Sequence, residues 1–120
     1  MDESFPKRSR VRKQSDFDAV YRAATYAADN LLVMQVRLNG LNVTRLGLSV
    51  SKKVGDAPTR NKWKRTIREV FRKCRHALPP GLDLVVRPRK GAVLNYQELQ
   101  KAFPKLVRRV VKKLPKQDHS

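Results

Sequence analysis

Side chains that could hold phosphate recur along one stretch, residues 59–75, with the sequence TRNKWKRTIREVFRKCR. On a helical wheel its basic and amide side chains share one face. They are Asn61, Lys64, Arg65, Arg68, Arg72 and Arg75. Arginine binds phosphate through a two-pronged fork, and lysine acts as a point charge. Because like charges four residues apart repel one another, this face predicts a polyanionic partner.

The opposite face of the same helix is apolar and should anchor it to a core. It carries Trp63, Ile67, Val70, Phe71 and Cys74. Pro58 and Thr59 predict the start of the helix, with Thr59 as the capping residue. Cys74, the single cysteine, is expected to be a small buried hydrophobe.

Charge is the strongest global signal: 28 Lys and Arg against 10 Asp and Glu give a formal net charge of +18 over 120 residues. This favours nucleic acid as the partner. A membrane is not expected, because the cations are not confined to one amphipathic helix and no apolar run is long enough to span a bilayer. The N-terminal residues lack the apolar region of a signal peptide, so the cytoplasm is the expected location. We expect no obligate protein partner.

Catalytic chemistry is poorly represented. The histidines, His76 and His119, are far apart in sequence, and no HExxH, CxxC or glycine-rich phosphate loop is present. Two-metal nuclease chemistry needs convergent carboxylates, whereas the acidic residues here are scattered. We therefore predict no catalytic side chain and no metal site intrinsic to the protein.

Five further segments have the periodicity of regular elements, and a short strand near Thr25–Ala27 is also possible. Those five segments, the short strand aside, are a helix at Asp16–Ala24 opened by Ser15, strands at Leu31–Leu38, Thr44–Ser51 and Leu82–Arg87, and a last helix after Asn95 that continues, kinked, through Pro104. These elements predict one domain, 1–120, folded as an α+β two-layer sandwich of αβββαβα-type order with a small mixed sheet. Residues 1–13 and 115–120 are expected to be flexible tails.

Alternation along the strands assigns one side of the sheet to the core. The core side is predicted to carry Leu32, Met34, Val36, Leu46, Leu48, Val50, Leu84 and Val86. The other side is small, polar and partly basic, with Val33, Gln35, Arg37, Gly47, Ser49, Ser51, Val85 and Arg87. If the two long helices cover the core side, the polar side forms an open groove walled by Phe17 and Tyr21. These aromatics are either core side chains or a stacking platform for unpaired bases.

The segment Gly47–Arg72, GLSVSKKVGDAPTRNKWKRTIREVFR, resembles the signature region of the protein subunit of bacterial ribonuclease P. The strand ending in GLSVSKK, the glycine-containing loop and the basic helix start are the resembling features. The helix-start motif stands here as Arg60-Asn61-Lys62, Lys64-Arg65 and Arg68. The similarity extends over about residues 8–113.

The resemblance implies that the protein assists a catalytic RNA, which removes the 5′ leader of precursor tRNA with Mg²⁺ bound mainly by RNA. It also implies a ribosomal protein S5 domain 2-like fold with a left-handed β-α-β crossover. The residues implied to contact the ribonuclease P RNA are Lys52, Lys53, Arg60, Asn61, Lys62, Lys64, Arg65, Arg68 and Arg72. Those implied for the leader cleft are Phe17, Tyr21, Val33, Gln35, Ser49, Ser51, Arg87, Arg89 and Lys90.

Several positions depart from the family pattern. Lys62 replaces an arginine and loses the fork, and Gln35 stands at a cleft position that is often aromatic. Two alternatives stay open: a ribosomal-type structural RNA-binding protein without a role in cleavage, and an independent endonuclease. We expect the docking face of the central helix and the leader groove to lie on different sides of the domain.

Overall fold

Three helices and four strands lie within residues 7–115, which are the residues that the computed structural model describes. The elements are α1 (Gln14–Ala23), β1 (Thr25–Ala28), β2 (Leu32–Leu38), β3 (Arg45–Leu48), α2 (Ala57–Cys74), β4 (Leu82–Pro88) and α3 (Tyr96–Val111). Short 3₁₀ turns lie at Lys7–Ser9, Lys52–Val54 and Arg75–Ala77. The predicted αβββαβα order is confirmed, including the extra short strand, β1.

The four strands form one mixed sheet in the order β1-β2-β4-β3. β2 pairs antiparallel with both β1 and β4, whereas β3 and β4 are parallel. Because α2 connects those two parallel strands, it forms the expected β-α-β crossover. The left-handed sense of that crossover stays a prediction.

Helices α2 and α3 cover one face of the sheet and form the main core with it. The helical contributors are Trp63, Ile67, Val70, Phe71, Leu99, Phe103, Leu106, Val107 and Val110. Phe71 and Phe103 join the two helices in an edge-to-face contact, with ring centroids 6.3 Å apart. The predicted core residues of the sheet all face this side, although Leu48 and Val50 are only half-buried. As expected, α3 continues through Pro104 as one helix.

Most predicted element boundaries differ from the structure by one or two residues, and three of them matter for the site. α2 is capped by Asp56, whose Oδ1 accepts a hydrogen bond from the Thr59 amide at 2.9 Å, so Thr59 is not the cap. Hydrogen bonding to Thr59, first through its side chain and then through its amide, lowers the pKa of Asp56. α1 begins at Gln14 rather than after Ser15. β3 ends at Leu48, before the predicted end at residue 51.

Residues 7–13 do not behave as the flexible tail we expected. Val11 donates its amide hydrogen to the Leu46 carbonyl at 3.0 Å, and both Ser9 and Val11 are buried. From α2, Arg75 donates a hydrogen bond to Ser9 Oγ at 3.1 Å. β3 is an edge strand with unpaired backbone groups, and this segment supplies their partner. The rest of the predicted tails, 1–6 and 116–120, lies outside the described residues.

Within residues 7–115, no helix is long and apolar enough to cross a membrane.

Candidate nucleic-acid interface

The outward face of α2 is cationic and largely open to solvent. Asn61, Lys62, Arg65 and Arg68 are exposed. Lys64, Arg60 and Arg72 are half-buried. Arg72 is held by Glu69, with Nη2 and Oε1 2.6 Å apart, and this bond lowers the pKa of the Glu69 carboxyl. Of the predicted docking residues on this helix, Arg72 therefore has its charge partly neutralised.

Two more cations, Lys52 and Lys53, lie on the turn that leads into α2, and both are exposed. The turn is capped by Ser51, whose hydroxyl accepts a hydrogen bond from the Lys53 amide at 3.2 Å. Gly55 follows with φ of +155°, and a Cβ there would lie 2.9 Å from Thr59 Cγ2. The glycine thus allows the lysines to sit close against the start of α2.

A pocket of about 230 Å³ connects the cationic face of α2 with the first helix. Its cationic lining consists of Arg10, Arg12, Lys64 and Arg68. No carboxylate lines it, and Phe17 forms part of its wall. Burial and the nearby Arg10 both lower the pKa of Arg68, since each disfavours its charged form. An anion placed in this pocket would relieve the repulsion between these cations.

This pocket joins two surfaces that we expected on different sides of the domain. The docking face of α2 and the Phe17 wall do lie on opposite sides of the sheet, yet Phe17 shares the pocket with Lys64 and Arg68. The reason is the edge position of β3 in the sheet. α2 packs on one side of that edge and Phe17 on the other, so the two surfaces meet around it.

Phe17 lies directly on the polar side of the sheet. A Cβ built on Gly47 would be 3.0 Å from the Phe17 ring and 2.9 Å from Val11 Cβ, closer than side chains tolerate. Gly47 is therefore the residue that lets Phe17 reach the sheet. Tyr21 lies next to Phe17, with ring centroids 6.4 Å apart, and is 38% exposed. Phe17 thus has the contacts of a core aromatic, whereas Tyr21 is open to a ligand.

The other predicted cleft residues differ in exposure. Val33, Gln35 and Ser49 are half-buried, and Ser51, Arg87, Arg89 and Lys90 are exposed. Neither serine is sealed beneath a helix, as the groove requires. Arg87 donates a hydrogen bond to the Gln35 side chain at 3.3 Å, and Arg89 donates one to the Asp29 carbonyl at 3.0 Å. The groove therefore has a polar floor with cations along one end.

A buried ion cluster at the other end of the groove was missed by the sequence analysis. Asp83 is fully buried on β4 and binds Arg45 at 2.7 Å and Arg37 at 2.9 Å. Asn39 donates a further hydrogen bond to it at 2.9 Å. Burial raises the pKa of Asp83, but the hydrogen bonds from these three side chains outweigh it and lower the pKa overall. The one available signal was an aspartate inside the apolar run LDLVV.

The same cluster positions the wall of the groove. Asp16, in the first turn of α1, binds Arg37 at 3.2 Å and lies 3.6 Å from Arg45. Both arginines belong to the sheet, so these ion pairs fix the start of α1 against it. Phe17 follows directly in the chain and is thereby held over the sheet.

The fold and this surface together define a small basic α+β domain with a cation-rich face. Residues 5–111 match the model of the Ribonuclease P family. The chain is also 42% identical over 99 residues to a ribonuclease P protein component from Thermotoga petrophila, covering 82% of this chain and 85% of the relative. A Streptococcus pneumoniae protein of the same name is 41% identical over 96 residues, covering 79% and 78%. The chain belongs to the ribonuclease P protein component family.

Solved structures agree with this assignment. The ribonuclease P protein from Thermotoga maritima superimposes with a TM-score of 0.78 at 32% identity, covering 84% of this chain and 96% of that one. The ribonuclease P protein from Staphylococcus aureus gives a TM-score of 0.74 at 32% identity, covering 83% and 93%. The expected α+β fold is confirmed by these similarities, and a role in tRNA processing follows from the family.

Proposed function

We propose that this protein is the subunit that assists RNA-catalysed, Mg²⁺-dependent removal of the 5′ leader from precursor tRNA in the cytoplasm. It would bind the ribonuclease P RNA and the leader at once. The cation-lined pocket supports this proposal most strongly, because it joins the α2 face to the wall formed by Phe17. One continuous surface can then contact a large folded RNA and a single strand leaving it.

The exposed α2 face is the proposed docking surface for the catalytic RNA. Arg65 and Arg68 project from it, with Lys52 and Lys53 extending the patch beyond the start of the helix. Arginine forks match phosphate oxygens, and a folded RNA presents many phosphates in fixed positions. The like-charge repulsion on this face is offset when phosphates bind.

The groove between α1 and the sheet is the proposed leader site. It offers an exposed aromatic, Tyr21, beside the packed Phe17, with Arg87 and Lys90 exposed near its end. Aromatic side chains stack on bases of any sequence, and flanking cations follow the backbone. A leader of varied sequence could therefore be held without reading its bases.

Mg²⁺ is proposed to be held mainly by the RNA, because the carboxylates of residues 7–115 do not form a site for it. Among residues 7–115, no three His, Cys, Asp or Glu side chains come together as a metal site. Asp16 and Asp83, which do lie near each other, are both bound by Arg37 and Arg45. We therefore assign the protein the tasks of binding and positioning RNA, and no proton transfer or metal ligation.

Reconstitution with a bacterial ribonuclease P RNA tests the proposal. At low Mg²⁺ concentration, adding the protein should increase the rate of leader removal, since its cations replace part of the screening that Mg²⁺ provides. The measurement is cleavage of a labelled precursor tRNA by the RNA alone, the protein alone and the mixture. An unchanged rate in the mixture would defeat the proposal, and cleavage by the protein alone would favour an independent endonuclease.

A further inference from the structure

An exposed aromatic side chain lies on the groove face of the edge strand β1. Tyr26 is 57% exposed, more than any other aromatic side chain of residues 7–115. Its neighbour Ala27 is buried in the core. Because successive side chains of a strand point to opposite faces, Tyr26 lies on the groove side of the sheet.

The register places Tyr26 at the end of a row that crosses the groove floor. Tyr26 is opposite Gln35, Gln35 is opposite Val85, and Val85 is opposite Gly47, the residue beneath Phe17. Paired residues of neighbouring strands point to the same face. The row therefore runs from Phe17 at β3 to Tyr26 at β1, across three strand spacings or about 14 Å. Gly47 and Val85 are buried within it, so its accessible part is the half-buried Gln35 and the exposed Tyr26.

Cations surround this end of the row. The Lys113 ammonium lies 5.5 Å from the centre of the Tyr26 ring and donates a hydrogen bond to the Tyr26 carbonyl at 2.9 Å. Arg109 donates one to the Ala28 carbonyl at 3.2 Å. Arg87, bound to Gln35, lies two strands further in, on β4. The carboxylate nearest along the chain, Asp29, is occupied by the amides of the following turn.

These contacts resemble those of a single-strand binding surface, where aromatic platforms alternate with cations that follow the phosphates. Lys113 covers one side of the Tyr26 ring, and the exposed remainder is free to stack. The β1 edge itself is closed to strand pairing, because Lys113 and Arg109 occupy two of its carbonyl groups. An added protein strand is therefore a poor occupant, whereas an unpaired base with its phosphate fits.

We infer that Tyr26 stacks on a base of the single-stranded 5′ leader, with Lys113 and Arg87 holding the adjacent phosphates. This inference rests on the proposed function and extends the leader site across the sheet. Gln35 stands where the family often has an aromatic residue, and its cross-strand partner Tyr26 supplies an aromatic ring beside that position. The leader leaves the wall of Phe17 and Tyr21 and reaches Tyr26 over Gln35.

The test compares Tyr26→Ala, Tyr26→Phe and wild type in the reconstituted holoenzyme, on precursor tRNAs with leaders shortened stepwise to one nucleotide. Stacking lost to alanine should weaken binding of the longest leader by about 5- to 150-fold. Tyr26→Phe keeps the ring and should bind like wild type. On the shortest leader, which does not reach β1, all three proteins should bind equally.

Leu41→Ala is the matched control, because Leu41 is 48% exposed in the β2–β3 loop and lies outside the groove. It should leave the affinity unchanged at every leader length. Equal binding of Tyr26→Ala and wild type to long leaders would overturn the inference. So would an equal loss on long and short leaders, since that loss would not come from the leader.

A direct readout uses the protein alone with single-stranded RNA carrying 2-aminopurine, whose fluorescence falls on stacking. The wild type and Tyr26→Phe should lower the 2-aminopurine fluorescence, whereas Tyr26→Ala should leave it unchanged. Equal quenching by all three would also overturn the inference. Stimulation of cleavage by the wild-type protein tests the proposed function, whereas the Tyr26 variants test the inference. Either one can therefore fail without the other.

Discussion

Replacing Arg65 and Arg68 together by alanine should weaken binding to the ribonuclease P RNA by two orders of magnitude or more at low salt. Both side chains are exposed on α2, and Arg68 also lines the cation pocket. Hydrogen bonds to charged groups contribute about 1.5–3 kcal/mol each, which is about tenfold or more in affinity for each arginine. The slope of log affinity against log salt should fall by about one for each phosphate contact removed.

The measurement is a salt titration of RNA binding by the double variant. Its control is Lys105→Ala with Arg108→Ala, which removes the same charge from the exposed face of α3. That variant should lose only the general attraction of its charge and keep most of the slope. If both double variants lost the same affinity and the same salt slope, the α2 face would contribute only general electrostatic attraction and no specific phosphate contacts.

Replacing Asp83 by alanine should lower the free energy of unfolding by about 3–5 kcal/mol, because it leaves partly buried arginines without a partner. Arg37 and Arg45 have side chains only 25% and 17% exposed, and both bind Asp83. The measurement is urea denaturation of the isolated protein. Asp18→Ala, which removes a carboxylate bonded only locally to Gln14, should change stability by about 0.5 kcal/mol or less.

The same carboxylate predicts an acid limb in the stability profile. Folding lowers the pKa of Asp83, so its contribution is present above the unfolded pKa of about 3.9 and is lost as pH falls through the folded pKa. Asp56 and Glu69 also have lowered pKa values and act in the same direction. Asp83→Asn should therefore flatten this limb. An Asp83→Asn profile as steep as that of the wild type would show that Asp83 is not its source.

Much of the fold followed from periodicity alone. The two faces of α2 were predicted correctly, because a long amphipathic helix fixes which residues are dry. The core side of the sheet followed in the same way from alternation. β1 was predicted only as a possible strand, because Thr25–Ala27 is too short for its own pattern to distinguish a strand from a loop.

Long-range pairing explains what sequence reasoning missed. The contact of Val11 with β3 depends on that strand being at an edge, which only the assembled sheet reveals. The Asp83 cluster joins residues from α1, β2, β3 and β4 that no local spacing connects. The register between Tyr26 and Gln35 likewise depends on strand pairing, which no local pattern fixes. The candidate site residues remain a prediction, and no local spacing indicates that their surface continues around the β3 edge.

The affinity of the reconstituted holoenzyme for precursor tRNA, measured as a function of leader length, tests the central claim most directly. The claim is that the protein holds the catalytic RNA through α2 while it grips the leader beside Phe17 and Tyr21. With the protein present, affinity should rise with leader length and fall back when one nucleotide remains; with the RNA alone it should stay nearly flat. The same gain in affinity at every leader length would contradict the account.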